Sequence, residues 1–184
     1  MRKEVVIVIA IYNGLKWLPK CLKSIPLNYG VVLVDNNSSD ASVQFIQENY
    51  PSIILIRQTK NVGFGAANNI GISHALKKGA DYIFLLNQDT WIFENTISNL
   101  AETLFENSNL GIVSPLHYSA DEIILDKNFN TYYNRFNKEE DFESLRIVPF
   151  VNAAAWLVSK ECFSKTGYFD PIFNHYGEDR NFCE

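Results

Sequence analysis

The residues Tyr82-Ile83-Phe84-Leu85-Leu86 form an unbroken apolar run that passes directly into Asn87-Gln88-Asp89-Thr90. A run this short, bounded by polar sequence, reads as a strand covered on both faces, as in a parallel sheet sandwiched between helices. In such sheets ligands bind beyond the carboxyl ends of the strands. Asn87 and Asp89 are thereby placed at the edge where a ligand would sit. A carboxylate there can share a divalent cation with a phosphate. Mg²⁺ takes one or two protein carboxylates and completes its shell with water and phosphate oxygens. Taken alone, Asp89 is better read as the cap of a following helix; the remainder of the chain changes that balance.

The same alternation runs through the first two-thirds of the sequence. Val5 to Ile11 reads as a strand broken at Tyr12-Asn13-Gly14, followed by a helix with Leu15, Leu18, Leu22 and Ile25 on one face that Pro26 stops. Val31 to Val34 is a second strand delivering Asp35. The run Asn36-Asn37-Ser38-Ser39-Asp40 is turn and capping chemistry before a helix carrying Val43, Ile46 and Tyr50. Ile53 to Ile56 is a third strand, and Asn61-Val62-Gly63-Phe64-Gly65 opens a helix ending near Gly79. After the Tyr82–Leu86 strand come a helix with Ile97, Leu100, Leu104 and Phe105 and a short strand at Ile112-Val113. Strands alternating with helices predict an α/β fold with a mostly parallel central sheet flanked by helices. From His117 to Arg146 no period is sustained, so an irregular excursion is expected there, and long loops in compact domains are often functional. A strand from Phe150 to Val158 and a helix capped by Ser159 and ended by Gly167 follow.

At 184 residues the chain fits one domain, 1–184. Residues 1–115 are expected to form a nucleotide-binding half, and 116–184 an acceptor-side half that is incomplete at its C-terminus. A net charge of −5 argues against a general nucleic-acid binder. Cys21, Cys162 and Cys183 lack metal-ligand or disulfide spacing, which points to reduced thiols and a cytoplasmic location. Met1-Arg2-Lys3 before an apolar run only faintly resembles a signal peptide, since no cleavage pattern follows. No stretch reaches the roughly 18 apolar residues of a membrane span. The expectation is a soluble protein, at most peripheral to the inner face of the cell membrane.

Two carboxylates follow strands directly, Asp35 and Asp89, and two acids at one sheet edge suggest a shared ligand. Asp35 could accept a hydrogen bond from a base or ribose while Asp89 takes a metal and diphosphate. Gly63-x-Gly65 lacks the third glycine of a dinucleotide fingerprint, where Asn68 stands, and follows the third strand, not the first. It reads instead as a turn where the backbone approaches a ligand or packs closely, with Asn61 and Asn69 as hydrogen-bonding groups. Glu178-Asp179 opens a helix, where acids are common on dipole grounds; functionally, Asp179 would be a general base. The histidines His74, His117 and His175 are scattered, with His74 expected on an exposed helix side.

Taken in order, Ile9-Ala10-Ile11-Tyr12-Asn13, Val34-Asp35-Asn36-Asn37-Ser38-Ser39-Asp40, Asn61-Val62-Gly63-Phe64-Gly65, Leu85-Leu86-Asn87-Gln88-Asp89-Thr90, Gly167-Tyr168-Phe169-Asp170 and Tyr176-Gly177-Glu178-Asp179 resemble the family 2 glycosyltransferases. The nearest likeness is to the rhamnosyltransferase-like branch that builds bacterial surface polysaccharides. The resemblance implies a type A glycosyltransferase fold and transfer from a nucleoside-diphosphate sugar, with inversion, to a saccharide or lipid-linked acceptor. It implies that Ala10, Ile11, Tyr12 and Asn13 line the nucleotide, with Asp35 on the base or ribose. Asn61, Gly63, Asn69, Asn87 and Gln88 would shape the donor pocket. Asp89 would hold Mg²⁺ or Mn²⁺, and the pair Glu178 and Asp179 would be catalytic, with Asp179 as base. Departures are Asn87 for the first acid of the metal motif, Asn181 for an acid two positions after the catalytic pair, and the end of the sequence at Glu184, which suggests truncation. The alternatives are a nucleotide-sugar-binding module without activity and a sugar nucleotidyltransferase. Against the last stands Tyr12-Asn13-Gly14-Leu15, where such enzymes carry a glycine-rich phosphate loop.

Overall fold

The computed structural model describes residues 3–136, 145–173 and 177–184. Its centre is a six-stranded sheet in the order β3-β2-β1-β4-β6-β5. The strands are β1 (Val5–Ile11), β2 (Gly30–Asp35), β3 (Ile54–Arg57), β4 (Tyr82–Leu86), β5 (Ile112–Val113) and β6 (Ala155–Ser159). The first four run parallel, while β6 lies antiparallel to both β4 and β5. All five residues of β4 are buried, as its apolar run requires.

Alternating side chains send the two halves of each strand to different layers. Ile7, Ile9, Ile11, Leu33, Phe84 and Leu86 pack on one face. They meet α1 (Leu18–Lys23), α2 (Ser42–Asn49) and α4 (Thr96–Glu106) through Leu18, Ile46 and Ile97. Val8, Val34, Ile83, Leu85, Trp156 and Val158 face the other way. There they meet α3 (Phe64–Lys77), α6 (Lys160–Thr166) and α7 (Glu178–Cys183) through Ile72, Phe163 and Phe182. The chain winds outward from β1 to β3, then crosses by α3 to β4 on the other side of β1. That reversal leaves a crevice at the carboxyl ends of β1 and β4, where ligands bind in doubly wound sheets.

The C-terminal third departs from the periodicity reading. Asp126 Oδ1 accepts from Asn128 N and Phe129 N, both at 2.9 Å, and starts α5 (Lys127–Phe136) inside the stretch expected to be irregular. Phe129, Tyr132 and Tyr133 fall at helical spacing, and Phe129 and Tyr133 are buried. Before α5, His117–Asp126 forms a small hairpin with Tyr118 opposite Leu125. The last strand begins at Ala155, not Phe150. Ser159 caps α6 by accepting from Cys162 N at 3.1 Å, and Gly167 ends it. His74 is half-buried in α3, with a ring nitrogen shielded from solvent, and not on an exposed side.

Helix α3 lies close against β1 and β2 because residue 71 has no side chain. A Cβ there would run into Val8 Cγ1 and sit 3.2 Å from Val34 Cγ2, both buried in the sheet. Overpacking of this kind costs about 1–3 kcal/mol. Gly71→Ala should therefore lower the urea midpoint of unfolding with an unchanged m-value; an unchanged midpoint would show that α3 can shift freely.

Candidate active site

The crevice is built by ties between strand ends. Gln88, just past β4, donates through Nε2 to Tyr12 O at 3.1 Å and accepts through Oε1 from Tyr12 N at 3.0 Å. This locks the end of β4 to the end of β1. The turn that follows is pinned from the β2 side. Asn13 N donates to Ser38 Oγ at 2.9 Å, Gly14 N to Ser42 Oγ at 2.9 Å, and Leu15 N to Asp40 Oδ2 at 3.1 Å. Asn13, at a left-handed φ of 49°, returns its Oδ1 to Ser39 N at 2.8 Å.

Asp35 ends β2 and is 1% exposed. Its Oδ1 accepts from Ser38 N at 3.0 Å, while Oδ2 is buried without a hydrogen bond, 3.8 Å from Arg57 Nε. The next residue, Asn36, does more than make a turn. Its Nδ2 donates to Asn61 Oδ1 at 2.8 Å and to Gly63 O at 3.2 Å, and its Oδ1 accepts from Val62 N at 2.8 Å. Asn36 thus fixes the 61–63 turn, where Gly63 takes a φ of 88° that a side chain would oppose.

Two cavities open at this edge. The first, about 570 Å³, is walled by Ala10, Tyr12, Asn36, Asn61, Gly63 and Phe64, with Ile11 and Gln88 beside them. The second, about 600 Å³, is walled on its aromatic side by Trp17, Trp91, Phe93, His117 and Tyr132. Asn87 and Asp89 line both. Asn87 N donates to Ala154 O at 2.9 Å, and its Oδ1 is buried without a partner. Asp89 is exposed. Its charge reaches inward: the Cys21 thiol is pushed up to about 12 by burial first and by Asp89 second. Among the described residues no group of three His, Cys, Asp or Glu side chains could hold a metal ion. One free carboxylate and one orphaned amide oxygen do fit a cation that takes its other ligands from phosphate and water.

The remaining expected residues sit around this pair. Asn69 faces Phe169, not the cavities. Its amide donates to Phe169 O at 2.8 Å and accepts from Phe169 N at 3.0 Å, which ties α3 to the segment after α6. Glu178 is buried in the first turn of α7, beside Gly65, with Oε2 unpartnered. Asp179 is half-buried, and its Oδ1 accepts from Arg180 N at 2.8 Å. Neither acid belongs to a cavity wall. Asp179 nonetheless acts on one: the Tyr132 phenol is raised to about 12, by burial first, with Asp126 and Asp179 adding to it. His175 and Tyr176 lie outside the described residues.

Sequence reasoning missed Asn36 as a wall residue, and it missed Trp91, His117 and Tyr132. The signal for Tyr132 was the helical spacing of the aromatics from Phe129. Trp91, two residues beyond Asp89, carried no periodic signal.

His117 gives the site a pH signature. Its ring lies 4.7 Å from that of Phe129, with Nε2 3.1 Å from Ser114 Oγ. Burial holds its pKa down to about 4, against a partial opposing pull from Asp126. The unfolded chain takes up this proton near pH 6.5 while the fold resists it to about 4, so stability is lost as pH falls through that window. His117→Phe should shed less stability than wild type between pH 7 and 4.5 in urea titrations. Parallel curves would remove His117 as a contributor.

The family profile of Glycosyl transferase family 2 matches residues 6–167. The glycosyltransferase GlyG of Streptococcus pneumoniae is 31% identical over 176 residues, covering 89% of this chain and 54% of its own length. The dTDP-rhamnosyl transferase RfbF of Shigella flexneri is 26% identical over 181 residues, covering 92% and 58%. The chain therefore spans little more than half the length of these relatives. Among solved structures, the mannosyltransferase PcManGT from Pyrobaculum calidifontis, in complex with GDP-Man and Mn²⁺, superposes with a TM-score of 0.74. It is 20% identical and covers all of this chain and 51% of its own. S. aureus TarS 1-349 in complex with UDP gives a TM-score of 0.74 at 16% identity, covering 98% and 54%. The chain belongs to glycosyl transferase family 2 and has the type A glycosyltransferase fold.

Proposed function

We propose that this family 2 member moves a hexosyl or rhamnosyl group from a nucleoside-diphosphate sugar to a saccharide or lipid-linked acceptor. The transfer proceeds with inversion at the anomeric carbon and serves surface polysaccharide synthesis on the cytoplasmic side. The observation that carries this reading is the shared wall: Asn87 and Asp89 stand between two cavities, each large enough for one reactant. Residues 1–115 supply the donor cavity through Ala10, Ile11, Tyr12, Asn61, Gly63 and Gln88. Asp35 ends β2 next to the wall residue Asn36, its buried Oδ2 without a hydrogen bond and 3.8 Å from Arg57 Nε, and would accept from a base or ribose. Residues 116–184 supply most of the acceptor side. The GDP-Man and UDP complexes of the structural relatives support a nucleotide-sugar donor here.

Asp179 acts as the general base. It takes the proton of the acceptor hydroxyl as that oxygen attacks the anomeric carbon, and the bond from that carbon to the diphosphate breaks, releasing the nucleoside diphosphate. Asp179 is near enough to Tyr132, a wall residue of the second cavity, for its charge to raise that phenol, and would turn toward the acceptor. Glu178 anchors the start of α7 and so sets where Asp179 points. Asp89 and Asn87 Oδ1 would hold Mg²⁺ or Mn²⁺, which when bound supplies positive charge to the leaving diphosphate.

Asp179→Asn should lower turnover by about 10²–10⁴ while donor affinity stays within a few fold. Unaltered turnover would remove Asp179 from the role. By calorimetry with UDP- and GDP-sugars and Mn²⁺, Asp89→Ala should abolish the metal-dependent part of binding; equal affinity with and without Mn²⁺ in both proteins would refute the metal assignment. Donor binding without transfer or hydrolysis in the wild-type chain would instead favour a binding-only module.

A further inference from the structure

The mouth of the second cavity gathers apolar side chains that the fold does not bury. Trp17, Phe93 and Tyr118 line that cavity yet stay 41%, 54% and 40% exposed. Phe93 and Tyr118 meet edge to face at 6.4 Å. Beyond them the His117–Asp126 hairpin carries Ile123 and Ile124 at its tip, 79% and 64% exposed.

This tip is held in place. Ser119 N donates to Ile124 O at 2.7 Å, and Asp126 N to His117 O at 2.8 Å. Glu122 takes a φ of 62° at the turn. Its Oε1 accepts from Trp91 Nε1 at 2.7 Å and from Lys20 Nζ at 3.4 Å, latching the hairpin to β4's outgoing loop and to α1. Lysines sit among the indoles: Lys20 Nζ is 3.3 Å from the centre of the Trp91 ring and Lys16 Nζ 4.2 Å from that of Trp17, with Lys23 in the last turn of α1.

We propose that this rim docks on a lipid bilayer, with Ile123 and Ile124 entering the acyl boundary and Trp17, Phe93, Tyr118 and the lysines at headgroup depth. Exposed Trp and Tyr beside long lysine stems are the composition of a membrane–water interface. The area argues against a second protein. A stable protein interface removes roughly 800 Å² from each partner, whereas this rim offers five partly exposed side chains, two of them on a narrow tip. Insertion of a few apolar groups is enough for reversible bilayer binding. The local charge does not drive it. Glu122 is engaged by Lys20 and Trp91, and Asp121 Oδ1 accepts from Ile123 N and Ile124 N at 3.0 and 3.1 Å. The acids on and beside the rim, Asp89, Glu94, Asp121, Glu122 and Asp126, outnumber Lys16, Lys20 and Lys23, so insertion of the apolar groups, not headgroup attraction, carries the docking. The docking does not depend on the transfer reading. Joined to that reading, it turns the acceptor cavity toward the plane in which a lipid-linked acceptor would lie.

The test is flotation of the chain with large unilamellar vesicles of phosphatidylglycerol and phosphatidylethanolamine, beside vesicles of phosphatidylcholine alone. The wild type should float with the phosphatidylcholine vesicles at least as well as with the anionic ones, since apolar insertion carries the binding. Ile123→Asp/Ile124→Asp should reduce flotation about tenfold or more, given what loss of two inserted apolar groups removes. Ile123→Ser/Ile124→Ser should weaken it in the same direction, and circular dichroism should show both variants folded. No flotation of the wild type, or equal flotation of the variants, overturns the proposal. Dimerisation in the ultracentrifuge that the double variants abolish, without vesicle binding, would also overturn it and assign the rim to a second copy of the chain.

Discussion

A strand buried on both faces must hand its polar tail to the edge of the sheet, and the rest of this molecule follows from how β4 does so. Its backbone is satisfied by β1 on one side and β6 on the other. The three residues after it then divide the work. Asn87 ties its N–H to Ala154, Gln88 closes both ends of its amide on Tyr12, and Asp89 is left with its carboxylate in solvent. Buried polar groups without partners are costly, so the chain can leave Asp89 unpaired only because it is exposed.

The same economy shapes the donor side. Asn13 and Asn36 look like generic turn residues, yet Asn13 spends its side chain on the Ser39 backbone and Asn36 spends its own on the backbone of Val62 and Gly63 and on the Asn61 side chain. A pocket walled by saturated amides is set before a ligand arrives, so little ordering entropy is lost on binding. Two oxygens in this region, Asp35 Oδ2 and Asn87 Oδ1, are left without a hydrogen bond, and the first lies 3.8 Å from Arg57 Nε.

Most of the sheet was legible in the sequence because its signals are local. Apolar runs marked β1, β2 and β4 to within a residue or two, and Ser159 with Gly167 bounded α6. The antiparallel placement of β6 was not legible, since strand direction depends on a partner far away in the chain. Helix α5 was hidden by its polar composition: three aromatics at helical spacing stand among Asn, Lys and Thr, and its start is set by the Asp126 cap, not by an apolar run. At the site, residue identity foretold which groups would lie at the strand ends. It could not foretell that Gln88 and Asn69 use their side chains as struts, nor that Glu178 and Asp179 fall outside the linings of the two cavities.

The pairing of β4 with β6 has a consequence for synthesis. Leu86 leaves the ribosome well before Ala155, its partner across the sheet. Throughout that interval a strand buried along its whole length in the finished fold has one edge unpaired and Ile83 and Leu85 lacking their Val158 and Trp156 partners. Open apolar edges template association with other chains. The nascent protein therefore passes through a stage in which that edge is open, which the 68 residues between Leu86 and Ala155 must close.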